Sequence, residues 1–114
     1  MVRIVLYRQR SDGWLGGFLA LGHSGFAAAG EDIVCAAVSA LTTVTVLGLQ
    51  ARLALDPEVE VDDERGLLRC TIEQSDVPSD VRVRAQDLLE TMLLGLQEIA
   101  SDYPEYVSVE EVAT

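Results

Sequence analysis

The sequence predicts an α+β fold: a mainly antiparallel sheet packed with two helices, ordered ββαββαβ along the chain, in a single domain over 1–114. Three observations predict it. Short segments with period-two alternation and β-branched residues recur at 2–8, 14–21, 58–61, 67–72 and 106–112. Two longer segments, 31–50 and 80–101, carry apolar residues at helical spacing. At 114 residues, with 49% apolar and 24% charged side chains, the chain can build one core but not two.

Val2 to Arg8 sets Val2, Ile4 and Leu6 against Arg3, Val5 and Tyr7, a first strand. Ser11-Asp12-Gly13 is a hairpin-type turn, and Trp14 to Leu21 returns as a second strand. Gly16-Gly17 inside it predicts a bulge or a close backbone approach. Gly22 to Gly30 is a loop with permissive backbone points at Gly22, Gly25 and Gly30. Glu31-Asp32 are placed to cap a helix reaching about Gln50 and to complement its dipole. Its main core face is expected from Val34, Ala37, Val38, Leu41, Val44 and Gly48. Asp32, Cys35, Ser39, Thr42 and Val46 form an adjoining stripe at the margin of the core. The β-branched residues after Leu41 are weak helix formers, so packing must hold them helical.

Asp56-Pro57 stops this helix. Glu58 to Val61 and Leu67 to Ile72 are two strands joined by a polar turn, Asp62 to Gly66. Cys70 shares a face with Leu68 and Ile72 and is expected in the core. After the linker Ser75 to Pro78, Ser79 or Asp80 is expected to cap a second helix to about Ser101. Ala85, Leu88, Leu89, Met92, Leu96 and Ile99 form its apolar stripe; Leu93 and Leu94 lie outside it, as core or as a subunit contact. Pro104 follows, and Tyr106 to Val112 alternates as a last strand.

The formal net charge is −11. Direct nucleic-acid binding needs a basic face and is not expected; a basic protein or peptide segment is the better electrostatic match. Solubility alone also accounts for such a charge. All eight basic residues are arginine, and there is no lysine or asparagine. That excludes Schiff-base lysine chemistry, Ser-Lys dyads and an asparagine partner for a catalytic histidine. No run reaches ~18 uninterrupted apolar residues, so no membrane partner is expected. The alternating start lacks the apolar core of a signal peptide. Two cysteines without a Cys-x-x-Cys motif point to a cytoplasmic chain with reduced thiols.

The chemistry-bearing residues gather between Gly22 and Leu49. His23, the only histidine, stands just before the glycine-bounded loop, and Cys35 stands just after it, near a helix start. Cysteine is a nucleophile as the thiolate, which a helix N-terminus or a neighbouring imidazolium favours. Cys35 has the first device by position and gains the second if the loop folds His23 back onto it. His23 then serves as acid toward a leaving amine and as base toward water. Asp32, one turn before Cys35, either orients His23 or only caps the helix. Ser39, one turn beyond, bonds either within the site or back to helix carbonyls. A buried Cys35 beside an unrelated surface His23 is the alternative reading, and a thiol-redox role would need a resolving cysteine nearby. The loop lacks the Lys-Ser/Thr of a phosphate cradle, and Glu31-Asp32 set negative charge where phosphate would sit. One histidine and two distant cysteines do not make a structural zinc site, and no metal or cofactor is expected.

Gly22-His23-Ser24-Gly25 followed by Gly30-Glu31-Asp32-Ile33-Val34-Cys35-Ala36-Ala37-Val38-Ser39 closely resembles the signature of the ribosomal-processing cysteine protease family, the Prp proteins of bacteria. The start Val2-Arg3-Ile4, the turn Asp12-Gly13, and Leu94-Gly95-Leu96 through Tyr103-Pro104-Glu105-Tyr106-Val107 look like the same family, so the resemblance spans essentially the whole chain. It implies a cysteine endopeptidase that removes the N-terminal extension of a large-subunit ribosomal protein lying near the peptidyl-transferase centre. It implies His23 and Cys35 as the catalytic dyad, and Asp32 and Ser39 as supporting residues. Gly22, Gly25, Phe26 and Gly30 would belong to a lid that moves on substrate binding, and the chain would be a homodimer. Ser24 and Phe26 stand where many relatives carry alanine and tyrosine, a departure within that lid. The alternative is a non-catalytic ribosome-assembly factor that binds the same basic tail.

Overall fold

Five strands form one sheet: β1 (Val2–Arg8), β2 (Leu15–Leu21), β3 (Glu58–Asp62), β4 (Leu67–Thr71) and β5 (Val107–Ala113). Two helices, α1 (Ile33–Leu47) and α2 (Arg82–Asp102), complete the ββαββαβ order. The structure is a computed structural model and describes residues 1–22 and 33–114. Strand order is β3-β4-β2-β1-β5, antiparallel throughout except that β5 runs parallel to β1.

The alternation read from the sequence decides which face is covered. Ile4 and Leu6 are fully buried, and Phe18 lies between Leu6 of β1 and Cys70 of β4 in a row across the sheet centre. Cys70 is therefore core, as its alternation predicts, and burial pushes its thiol up to about 11. The two glycines of β2 fulfil both expectations. Register shifts between Tyr7 and Arg8, which pair with Gly17 and Leu15, so Gly16 is the extra residue of a bulge. A Cβ on Gly17 would collide with the Cys70 carbonyl oxygen.

Where the bulge interrupts the ladder, a side chain of α2 replaces strand pairing. The Leu15 N–H donates to Gln86 Oε1 at 2.7 Å, and Gln86 Nε2 donates to the Leu15 carbonyl at 3.0 Å. Arg8 ties three further elements together, donating to Glu111 and Glu90 at 2.7 Å each and to the Gly13 carbonyl at 3.0 Å. The hydrogen bond to Glu111 raises the Arg8 pKa most, against the opposing effect of burial.

The core face of α1 differs from the expected one. Val34, Val38, Thr42, Thr45 and Val46 are buried, whereas Val44 is 60% exposed. At 3.6 residues per turn Val44 lies opposite Thr42 and Val46, so only one set can face inward. Thr42 and Thr45 are buried because their hydroxyls donate back to the carbonyls of Val38 (2.9 Å) and Leu41 (2.8 Å). That removes their polarity and leaves β-branched bodies to pack. Leu41 instead meets α2 at Gly95, where a Cβ would sit 2.8 Å from Leu41 Cδ1. After Leu47 the helix loosens into a π-helical turn, Gly48–Arg52. Ile33–Arg52 is long and apolar enough to cross a membrane by length and composition, at 20 residues and a mean hydropathy of 1.9. Its inward stripe is nevertheless part of the domain core.

α2 carries its expected stripe, joined by Leu93, while Leu94 is exposed. Neither Ser79 nor Asp80 caps it. The N-cap is Val81, without a side-chain cap bond, and the Val81 N–H is taken by the Pro78 carbonyl at 2.9 Å. The backbone turn after Pro78 replaces the side-chain cap.

Candidate active site

Described residues on either side of positions 23–32 contribute to the site. β2 ends at Leu21, and Gly22 turns the chain out of the sheet with φ +98°. The Gly22 N–H donates to the Gly66 carbonyl at 3.0 Å, and a Cβ here would stand 2.6 Å from the Met1 carbonyl oxygen. Glycine is required by both the backbone angle and the space. The chain enters the site again on α1, with Cys35 its third residue.

Cys35 is half-buried and packs against the core, and it lines a cleft of about 310 Å³. One wall is α1, where Ser39 lies one turn beyond Cys35 and is exposed, with Thr43 a turn further. The floor comes from Val38 and Thr42 of α1 and Ala20 and Leu68 of the sheet. The β3–β4 hairpin completes the described lining through Val61, Asp63, Gly66 and Leu67. The Asp62 carboxylate shapes that hairpin by accepting the N–H groups of Glu64 (3.1 Å) and Arg65 (3.3 Å).

The stripe expected at the core margin behaves as a gradient. Cys35 and Ser39 sit at the cleft, and Thr42 and Val46 further along are buried. Cys35 and Ser39 thus share one cleft. His23, Asp32, and the loop residues Gly25, Phe26 and Gly30 lie outside the described residues; of the expected loop only Gly22 is described, and it lines the cleft.

Asp63 is the charged residue among the described lining, and no basic side chain joins it there. A lining of mixed apolar and hydroxyl side chains with one carboxylate can take both apolar and polar or basic groups of a peptide. Among the described residues no group of three or more His, Cys, Asp or Glu is placed to hold a metal ion. Cys35 and Cys70 form no disulfide, and Cys70 is buried on the sheet.

Sequence reasoning did not find the hairpin wall. The turn at Asp62 to Gly66 was legible, but its place beside Cys35 follows from β4 pairing with β2, a contact between distant parts of the chain. No local signal carries that.

A family model described as cysteine protease Prp matches residues 1–108. The ribosomal processing cysteine protease Prp of Bacillus subtilis is 29% identical over 109 residues, covering 96% of both chains. The protein of the same name from Staphylococcus aureus is 34% identical over 86 residues, covering 75% of this chain and 76% of its own. The crystal structure of the Staphylococcus aureus protease with a covalently linked product peptide superposes with a TM-score of 0.85 at 25% identity, covering 98% of this chain and all of that one.

Proposed function

The chain belongs to the cysteine protease Prp family, and from that premise we propose that it is a cytoplasmic cysteine endopeptidase that removes the N-terminal extension of a large-subunit ribosomal protein near the peptidyl-transferase centre. The observation that carries the reading is the position of Cys35, in the first turn of α1 and facing a peptide-sized cleft. The relatives' names, and a related structure with a covalently linked product peptide, support it.

In this reading the Cys35 Sγ adds as thiolate to the scissile carbonyl carbon. Backbone N–H groups of the first turn of α1 hold the oxyanion that forms. The C–N bond breaks as His23 gives its proton to the leaving amine, and a thioester remains on Cys35. Water then adds to the thioester while His23 takes its proton; the carboxylate product leaves and the thiolate is restored. Asp32 orients His23, Ser39 binds within the cleft one turn from the nucleophile, and the loop from Gly22 to Gly30 closes over the substrate.

The chain acts as a homodimer in the same reading. The outward side of α1 supports this: Ile33, Val44 and Leu47 are exposed, and no charged residue occurs between Ile33 and Gln50. Incubating the precursor with the wild-type protein, Cys35→Ala and His23→Ala, then weighing the products, tests the activity. Cleavage by wild type alone is expected. Tight binding by wild type without cleavage would favour the non-catalytic assembly factor.

A further inference from the structure

Among the described residues β3 forms one edge of the sheet: β4 pairs with it from Glu58↔Thr71 to Asp62↔Leu67, and no described strand lies on its other side. An edge strand presents a row of N–H and C=O groups to any chain that can pair with it. Its sequence, Glu-Val-Glu-Val-Asp, alternates strictly. Val59 and Val61 pair with Cys70 and Leu68 and so project toward the helix-covered face, yet remain 37% and 61% exposed. Val61 also lines the cleft that contains Cys35. Glu58, Glu60 and Asp62 project from the opposite face, where Glu60 meets Arg69 at 3.5 Å and Glu58 has no ion pair among the described residues. The edge is therefore continuous with the candidate active site, apolar on one face and acidic on the other.

We propose that the outer edge of β3 receives the peptide substrate as an added strand, apolar side chains lying over Val59 and Val61 and basic ones over Glu58 and Glu60. The proposal rests on the peptidase reading and deepens it by assigning the surface that holds the substrate's basic segment. Backbone pairing supplies affinity in strand addition, and alternate side chains supply selectivity. A second copy of this chain is the wrong occupant, because self-pairing of β3 would bring Glu58, Glu60 and Asp62 together with their own copies. The opposite edge, β5, is less suited: Glu111 is held by Arg8 at 2.7 Å, Glu110 lies 3.6 Å from Arg3, and no β5 residue lines the cleft.

The test uses the full chain and a synthetic peptide spanning the precursor's extension and the basic residues after it. Amide hydrogen exchange on Cys35→Ala with this peptide should show residues 58–62 gaining protection. The double variant Glu58→Arg/Glu60→Arg in the active protein should raise KM about ten-fold with kcat unchanged. Glu110→Arg, a charge change on the other edge, should leave KM as it was. Normal cleavage with no protection at 58–62, or an equal KM change in both charge variants, would overturn the added strand and leave the peptidase reading standing. Failure of the wild-type protein to bind or cleave the peptide would overturn both.

Discussion

The backbone N–H of Gly22 donates to the carbonyl of Gly66 at 3.0 Å, joining the end of β2 to the β3–β4 hairpin. Both residues line the cleft with Cys35. The residue that precedes His23 is therefore anchored to the hairpin that lines the same cleft as Cys35. A single backbone bond couples the exit of a central strand to the geometry of the site.

Gly22→Ala is expected to impair both folding and activity. Its φ of +98° and the Met1 carbonyl 2.6 Å from a new Cβ impose strain of about 1–3 kcal/mol. Because the proposed mechanism uses His23, the next residue in the chain, kcat/KM should fall about 100-fold. Thermal unfolding and steady-state kinetics measure the two effects; a lower Tm with kcat/KM intact would refute the anchoring role.

Alkylation should distinguish the two thiols. Cys70 is 1% exposed and its thiol is pushed to about 11 from 9.0, which lowers its thiolate population at pH 8 about 100-fold. Cys35 lines an open cleft. Iodoacetamide followed by peptide mapping should find Cys35 modified while Cys70 remains intact, and equal rates would contradict the structure.

Cys70 also implies a pH dependence of stability. Below pH 9 the thiol is protonated in both folded and unfolded chains. Between pH 9 and 11 only the unfolded chain ionises, so stability falls by roughly 2–3 kcal/mol as pH rises through that window. Urea titrations should show this loss in the wild type and not in Cys70→Ala.

Two glycines should respond differently to alanine. Gly17→Ala forces a Cβ into the Cys70 carbonyl, a backbone atom of the neighbouring strand that cannot yield, and should cost more than about 3 kcal/mol. Gly95→Ala meets the tip of Leu41 at 2.8 Å, which can rotate, and regains about 1 kcal/mol of helix propensity. Its net cost should stay below about 2 kcal/mol. Denaturant unfolding of both variants checks the order.

Most of the sheet was legible because β1, β2 and β4 alternate against one covered face, which fixes strand and inward side together. The bulge at Gly16 and the burial of Cys70 followed from the same pattern. The inward face of α1 was harder to read. Its residues are apolar nearly all round, so periodicity could not separate Val44 from Val46, and the back-bonded hydroxyls of Thr42 and Thr45 disguised two core residues as polar. Cys35 and Ser39 were legible as a helical pair. The Asp63 and Val61 wall was not, because strand pairing brings it there from a distant part of the chain.

Acid quenching during turnover of the precursor peptide, followed by peptide mapping by mass, tests the central claim most directly. The acyl portion of the substrate should be found attached to the peptide that contains Cys35, with no adduct in Cys35→Ala. Turnover by Cys35→Ala, or an acyl adduct on Cys70, would contradict it.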